Sequence, residues 1–528
     1  MLRFDYHGCG DSAGTDEEPE RVQRWIGSVH AAVDEIQRLA PGNGPTVLIG
    51  LRAGALLAAA AAASRDDIDG LVLWAPTLSG RLFLREQRAF SAMAHVTATA
   101  NGKHLEQWGE NGFEANGYVF TEETVAAFEG IDLKQLQLHA RTRVLVLNRT
   151  DIPVRSAIPQ SWKQSNISTE EAAAPGYPEL MQPPWLSRRP DEAISRIETF
   201  VQQFASTAHA STLPVDPNRT NPLARALHES AVWYDKTKTR LAILTEPDRG
   251  CSTALILITS TFGYRVGPNR MNVACARRMA KLGIATLRID LGCVSESRES
   301  VERSPNPPYH LDAINDVKSA VAFMKARGYE HVVLSGICAG AFLAWYTGIS
   351  AADVSGLLLV NPETFKPLRY SLEDHVRTLQ ASIPWRDQLR QEKNAWRKLA
   401  ILGNRGLRVG ELALQRLRST LPLQIGRPRV AMDINSLGRR GRLTSIIFST
   451  GDSGIKELQR ALGSHLDKLQ TRGWLQVRYL DGPDHSFTPR WANRMLIESM
   501  ADEMANWPLT ASSSTQTADL QTGATTYQ

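Results

Sequence analysis

The chain carries one sequence pattern twice, and this repeat restricts its 528 residues to folds built from two similar units. The segment Ile49-Gly-Leu-Arg-Ala-Gly-Ala-Leu-Leu-Ala58 matches Ser335-Gly-Ile-Cys-Ala-Gly-Ala-Phe-Leu-Ala344. Upstream of each, Met1–Asp5 matches Thr286–Asp290. The spacing from this aspartate to the centre of the motif is 47 residues in the first copy (52 − 5) and 48 in the second (338 − 290). We therefore expect two units in tandem, which suits a chain of this length.

Further segments support the repeat and indicate its fold class. Gly70–Pro76 parallels Gly356–Pro362, and Val144–Asp151 parallels a later strand that ends near Asp452. In the second half, apolar runs alternate with amphipathic stretches, which predicts strands at 254–260, 285–290 and 354–360 and helices at 271–282 and 312–327. This alternation is typical of a mostly parallel sheet flanked by helices, so both units are expected to be α/β.

The centre of the second copy is a candidate nucleophile, Cys338. An apolar run that starts at His331 leads into Gly336-Ile-Cys-Ala-Gly340, and a helical stretch follows. This order predicts a strand, a sharp turn and a helix, with strained dihedral angles at the central residue. A cysteine at the start of a helix is favoured as a thiolate by the positive end of the helix dipole. The alternative is a buried, inert cysteine in a glycine-rich turn.

Two later residues complete a candidate triad with Cys338. A β-branched strand from Leu443 ends in Gly-Asp452, and another strand from Leu475 leads to a turn that carries His485. The order nucleophile, acid, base is that of α/β-hydrolases. In such a site His485 accepts the thiol proton, and Asp452 orients and stabilises the imidazolium. Asp481 and Asp484 are rival acids, but neighbours of a histidine seldom reach its far nitrogen, so Asp452 is preferred.

The same fold supplies an oxyanion hole from backbone amides. We assign Ala339, the residue after the nucleophile, and Phe262, in the loop that follows the strand at 254–260. Arg265 and Arg270 lie in this loop. They could bind a carboxylate or phosphate, but a solvated loop face is the preferred interpretation.

The first copy is expected to be catalytically inactive. Its central residue is Arg52, whose guanidinium stays protonated and cannot act as a nucleophile. Pro175-Gly-Tyr-Pro178 stands where the second copy has Pro483-Asp-His485, so only Asp151 remains at the place of the acid. The chain also opens at the predicted strand Met1–Asp5, and the strand that should precede it has no counterpart. We expect either a start further upstream, which is preferred, or another segment that fills the gap.

These motifs resemble the paired α/β-hydrolase-fold proteins associated with exosortase systems, within the wider group of serine-aminopeptidase-like hydrolases. The likeness covers roughly residues 1–205 and 230–507; Cys-Val-Ser-Glu-Ser297 departs from the more usual Gly-x-Gly-Asp-Ser. The resemblance implies hydrolysis or transfer of an acyl group, in a process connected with polysaccharide or lipid-linked export. The segments that carry it are the Arg-type elbow Gly50–Ala55, Phe4–Ser12 and Leu73–Glu86 in the first copy, and the Cys-type elbow, Arg265–Arg270 and Asp484–Pro489 in the second.

Composition restricts the class of protein. The chain is 42% apolar and 22% charged, as is ordinary for a globular protein, and contains no apolar run long enough for a transmembrane helix. Met1 leads directly into a predicted strand, so no signal peptide is expected. The 5 cysteines are odd in number and scattered without a CxxC pair, which favours a cytoplasmic location and argues against a zinc site. No cofactor is predicted.

Charge is concentrated in one segment. Residues 363–442 hold 17 Lys and Arg against 7 Asp and Glu, a net charge of +10, while the rest of the chain is at −5 (5 − 10). This segment lies where a helical lid would be inserted. A basic lid could attract an acidic carrier protein, an acidic substrate or an anionic lipid surface, although a merely solvated surface remains an alternative. Nucleic acid is not expected, because no known binding module accompanies the charge.

The predicted organisation has four parts: a degenerate hydrolase-like unit at 1–205, a linker at 206–229, a catalytic unit at 230–507 with the lid, and a disordered tail at 508–528. The leading hypothesis is an esterase, thioesterase or acyltransferase with a Cys338–His485–Asp452 triad. A non-catalytic scaffold with two inactive units, a serine-aminopeptidase-like peptidase, and a ring-opening enzyme of the dienelactone hydrolase kind are the alternatives.

Overall fold

The computed structural model describes residues 1–39, 44–100, 108–152, 158–182, 187–204, 228–260, 263–297, 309, 311–366 and 429–507. Two α/β units follow one another along the chain, as the repeat predicts. The predicted linker 206–229 and lid 363–442 fall mostly outside the described residues, and the tail 508–528 wholly so. Glu229, the last residue of the predicted linker, already begins a strand of the second unit.

The first unit has a four-stranded parallel sheet with helices on its faces. Its sheet order is β1-β2-β5-β6, and β3 and β4 form a separate antiparallel hairpin. The strands are β1 Val47–Leu51, β2 Gly70–Trp74, β3 Phe113–Ala115, β4 Tyr118–Phe120, β5 Arg143–Asn148 and β6 Thr169–Ala173. The helices are α1 Arg21–Leu39, α2 Ala53–Ala63, α3 Gly80–Ala100, α4 Glu122–Glu129, α5 Gln160–Gln164, α6 Tyr177–Leu180 and α7 Asp191–Gln202.

The second unit has an eight-stranded sheet. Its strands are β7 Glu229–Trp233, β8 Leu241–Thr245, β9 Thr253–Ile258, β10 Ala285–Ile289, β11 His331–Ile337, β12 Gly356–Val360, β13 Leu443–Ser449 and β14 Leu475–Leu480. Its helices are α8 Met271–Lys281, α9 Ile314–Ala326, α10 Ala339–Ser350, α11 Arg429–Arg439, α12 Ser453–Leu462, α13 Leu466–Thr471 and α14 Arg490–Ala505.

The strand order of this sheet is that of an α/β-hydrolase. It reads β7-β8-β10-β9-β11-β12-β13-β14, with β8 antiparallel to both its neighbours and all later pairs parallel. Every residue of β9 is buried, because helices cover both faces of the sheet. Ala254 and Ile256 pack in the core that includes α9 and α10, whereas Leu255 and Leu257 pack in the core under α8 and α14. The carboxyl ends of the parallel strands therefore meet at one edge, where the candidate site lies.

The predicted strand Met1–Asp5 is wrong. Residues 1–6 form no strand, and the Asp5 carboxylate instead accepts a hydrogen bond from the backbone of Asp11 at 2.9 Å. The described part of the first sheet has no counterpart of β9 beside β1, and Ile49 of β1 is 47% exposed. Among the described residues, Met1–Asp5 has no strand beside it that could pair with its backbone N–H and C=O groups. Its sequence match with β10 therefore does not produce a strand.

The loop that Asp5 opens is used instead as a contact with the second unit. Arg265 binds the Asp11 carboxylate with its Nε at 2.8 Å and the buried Asp290 carboxylate with its Nη1 at 2.5 Å. Arg270 donates to three backbone carbonyls of this loop, those of Gly10, Ser12 and Gly14, at 2.9, 2.6 and 2.7 Å. The expectation that Arg265 and Arg270 lie on a solvated loop face is therefore wrong, since the other unit covers them.

Within the described ranges, no helix combines the length and the apolar character that crossing a bilayer requires.

Candidate active site

Cys338 lies at a sharp turn between β11 and α10. Its φ is 56° and its ψ is −116°, a conformation that L residues rarely adopt, and its backbone N–H donates to Val360 O at 3.0 Å. The flanking glycines allow this turn: a Cβ at Gly336 would collide with the backbone of Gly340, and a Cβ at Gly340 with the carbonyl of Ile258. The strained turn therefore sets Cys338 directly before the first residue of α10.

His485 and Asp452 form a hydrogen-bonded pair at the same edge of the sheet. The distance from His485 Nδ1 to Asp452 Oδ2 is 2.6 Å. The Asp452 side chain is only 2% exposed and also caps α12 by accepting from the backbone N–H of Gly454 at 2.8 Å. The rival acids bind elsewhere: Asp481 accepts from Thr450 Oγ1, and Asp484 accepts from the backbone N–H of Thr488, both at 2.7 Å.

A buried asparagine that the sequence analysis did not identify joins these two loops. Asn361, directly after β12, donates through Nδ2 to the backbone carbonyl of His485 at 2.8 Å and to Ser449 Oγ at 3.2 Å. Its Oδ1 accepts from the backbone N–H of Ser449 at 2.9 Å. Asn361 thus fixes the end of β13 relative to the histidine loop. The first unit has Ala75 at the matching position.

Two further side chains lie against Cys338 and were not identified from the sequence. The Tyr309 hydroxyl is 3.0 Å from Cys338 Sγ and donates a short hydrogen bond to Glu363 Oε2. The Glu363 carboxylate is itself 3.9 Å from Cys338 Sγ. Tyr309 is 3% exposed, and its ring packs edge-on against Phe342 with the ring centroids 5.6 Å apart. Glu363 directly follows the Asn-Pro pair at the carboxyl end of β12, a position from which a site residue could have been predicted. Tyr309 lies in a sequence segment without periodicity, so no pattern indicated it.

The electrostatics favour a charged imidazole and a neutral phenol. Hydrogen bonding to Asp452 and to the Cys338 side chain, in that order, raises the pKa of His485 to about 10, against the opposing effect of its burial. Burial, followed by the charges of Cys338 and Glu363, raises the pKa of Tyr309 far above its usual range. The histidine can therefore hold a proton taken from a thiol, and the tyrosine keeps its proton at every ordinary pH.

The candidate oxyanion-hole residues are only partly described. Ala339 is the first residue of α10 and is buried beside Cys338. Phe262 lies outside the described residues. Over the part of the chain that is described, no group of three or more His, Cys, Asp or Glu side chains is arranged to hold a metal ion.

The first unit repeats the turn with different chemistry. Arg52 has φ 56° and ψ −117°, nearly the angles of Cys338, and its backbone N–H likewise donates to the end of the next strand at 3.0 Å. Its guanidinium pairs with Glu86 and lies 5.9 Å from the ring centroid of Tyr177, which occupies the histidine position. Asp151 binds Arg149 at 2.5 Å, and this hydrogen bond lowers the pKa of Asp151.

Comparison with known proteins finds one family model that matches part of the chain. Residues 1–138 match the family model described as serine aminopeptidase, S33. No curated protein matches the chain significantly.

Several solved structures are similar to part of the chain. A dienelactone hydrolase from Anabaena variabilis is 15% identical over 52% of this chain and 96% of its own, with a TM-score of 0.33. An esterase from Pyrococcus furiosus is 13% identical over 56% and 96%, with a TM-score of 0.35. Est1E from Butyrivibrio proteoclasticus, solved with ferulic acid bound, is 13% identical over 50% and 94%, with a TM-score of 0.32.

Proposed function

We propose that the protein is an acyl hydrolase or acyltransferase that acts on an ester or thioester through Cys338, His485 and Asp452. The observation that carries this proposal is the hydrogen bond of His485 to a buried carboxylate, together with a raised His485 pKa to which Cys338, on its strained turn, contributes. A histidine in this position can take the thiol proton, and the carboxylate fixes the ring and stabilises the cation that results.

The reaction follows from these roles. Transfer of the Cys338 proton to His485 gives a thiolate beside an imidazolium, and the sulfur attacks the acyl carbon, so that a C–S bond forms and the carbonyl electron pair moves to oxygen. In this proposal the N–H of Ala339 stabilises this oxygen, as the residue after a nucleophile at such a turn does. The carbonyl re-forms, the bond to the leaving group breaks, and imidazolium returns its proton to the leaving group. Water or another acceptor, losing its proton to His485, then attacks the thioester carbon; the C–S bond breaks, the acyl group leaves bonded to the acceptor, and the Cys338 thiolate is regenerated beside imidazolium.

A thiolate suits activated acyl groups. The acyl-enzyme is itself a thioester, so its free energy is close to that of a thioester substrate, whereas an amide substrate requires a well-protonated leaving amine. This argument ranks a peptidase below an esterase or thioesterase. The exosortase association, the cytoplasmic location and an acidic carrier protein or anionic surface at the basic segment 363–442 belong to the same proposal and are supported by the sequence alone.

The first unit is proposed to be inactive. Arg52 occupies the nucleophile position with a cation, and the place of the base holds the buried Tyr177. Asp151 is engaged with Arg149 and has no histidine to orient. The alternative of a scaffold with two inactive units is less favoured, because Cys338 as well as Asp452 contributes to the raised pKa of His485.

The test is turnover of acyl thioesters of graded chain length by the full chain. Cys338→Ala and His485→Ala should each lower kcat by roughly 10⁴ to 10⁶, as for members of other triads. Cys293→Ala is the matched control, because Cys293 is exposed and its loss should leave kcat unchanged. Hydrolysis at the wild-type rate by Cys338→Ala would contradict the proposal.

A further inference from the structure

Tyr309 and Glu363 have no part in the triad, yet both lie against its nucleophile. The Tyr309 oxygen is 3.0 Å from Cys338 Sγ, within hydrogen-bonding range of sulfur, and it also contacts Glu363 Oε2. A phenol carries a single proton to donate. This proton can therefore serve the carboxylate or the sulfur, and not both fully.

We propose that Tyr309 is a further catalytic residue whose hydroxyl donates a hydrogen bond to the Cys338 thiolate while keeping its proton, and that Glu363 competes for this hydrogen bond and so restrains ionisation of the sulfur. The proposal rests on the function proposed above and adds how its nucleophile is regulated. Tyr309 acts on the reacting atom directly, whereas Glu363 is a positioning residue that acts through Tyr309 and through its own charge.

The groups that face the sulfur set the direction of each effect. His485, from the loop after β14, takes the proton of the sulfur and then attracts the thiolate as a cation. Tyr309, from the loop before α9, remains neutral because burial and the charges of Cys338 and Glu363 raise its pKa, so it can only donate to a thiolate. Glu363, from the loop after β12, places a negative charge 3.9 Å from Sγ and disfavours a second one.

The two residues can therefore be separated by the sign of their effects. Tyr309→Phe removes the hydroxyl but keeps the ring that packs against Phe342, so the thiolate loses a donor and becomes harder to form. Glu363→Gln keeps the shape of the side chain, removes the negative charge and accepts a weaker hydrogen bond. Tyr309 is then freer to donate to sulfur, and the thiolate becomes easier to form.

The experiment measures alkylation of Cys338 by iodoacetamide as a function of pH, on the full chain, with the modified peptide quantified by mass spectrometry. Only the thiolate reacts appreciably, so the rate reports ionisation without any substrate. We expect the pH midpoint to rise by about one to two units in Tyr309→Phe, the equivalent of a hydrogen bond to a charged group. In Glu363→Gln it should fall by about one unit.

A pH profile of Tyr309→Phe that superposes on the wild-type profile would overturn the proposal, as would shifts of the two variants in the same direction. Absence of alkylation of wild-type Cys338 at any pH would overturn it too. These outcomes are distinguishable from failure of the proposed function. If the predicted shifts occur while Cys338→Ala still hydrolyses thioesters at the wild-type rate, the sulfur is tuned as described but is not the nucleophile of that reaction.

Discussion

Replacement of Asp11 by asparagine is predicted to loosen the contact between the two units. Asp11 belongs to the first unit, but its carboxylate lies 2.5 Å from Arg288 Nη1 and 2.8 Å from Arg265 Nε. The Arg288 side chain is 0% exposed and sits within β10, where its other acidic partner is Glu229 at 3.4 Å. Glu229 is shared with Arg277 at 2.9 Å. An amide at position 11 keeps an acceptor oxygen but removes the charge, so that Glu229 would be the remaining acidic partner of the buried guanidinium among the described residues.

The magnitude follows from the burial of the pair. Removing one member of a buried ion pair costs about 3–5 kcal/mol of stability. Because Arg288 keeps its contact with Glu229, we expect a loss at the lower end of this range, about 3 kcal/mol. Burial alone would raise the pKa of Asp11, but the charges of Arg288 and Arg265 together lower it below its ordinary value. A depressed folded-state pKa means that this stabilisation is present above the unfolded value of about 3.9 and is lost as the pH falls through the folded value.

Hydrogen exchange followed by mass spectrometry is the assay. A loss of about 3 kcal/mol corresponds to roughly a hundredfold faster exchange at neutral pH in peptides that cover β10 and residues 263–270. Asp66→Asn is the matched control, since Asp66 is an exposed aspartate of the same unit. Equal exchange in the two variants would refute the reasoning that Asp11 neutralises buried arginines of the second unit.

Two further perturbations address the candidate site. Asn361→Ala removes the hydrogen bonds that join Ser449 to the His485 loop. We expect it to lower the free energy of unfolding by about 1–3 kcal/mol in a urea titration. An unchanged unfolding transition would show that these hydrogen bonds do not stabilise the fold. His485 has a folded-state pKa raised to about 10, so its stabilisation is complete below the unfolded value of about 6.5 and is lost as the pH rises through 10. NMR of the imidazole should therefore find His485 protonated at pH 8 in the wild type, and should measure a clearly lower pKa for His485 in Asp452→Asn. Equal titration curves in the two proteins would contradict the assignment of Asp452 as the partner of His485.

The fold class could be predicted from the sequence because each of its signals is local. Glycines at a fixed spacing permit the turn at Cys338, and apolar runs predict buried strands wherever they occur. The meeting of Asp452 and His485 could also be predicted, since both follow parallel strands whose carboxyl ends lie at one edge of the sheet.

What the sequence did not reveal depends on contacts between distant segments. Met1–Asp5 resembles β10, but no strand of the described residues lies where its neighbour should be, so a local match gave a wrong prediction. Arg265 reads as a solvated loop residue because its acidic partner Asp11 is 254 positions away in sequence. Tyr309 stands in a segment without periodicity, and nothing in its neighbours predicts that its hydroxyl contacts a cysteine.

Labelling of Cys338 by an electrophilic acyl probe tests the central proposal most directly. Peptide mass spectrometry of the full chain should find the acyl group on the sulfur of Cys338 in the wild type. In Cys338→Ala the label should disappear, and in His485→Ala it should form far more slowly. Acylation that persists at the wild-type rate in Cys338→Ala, or that occurs at another residue, would contradict the assignment of Cys338 as nucleophile.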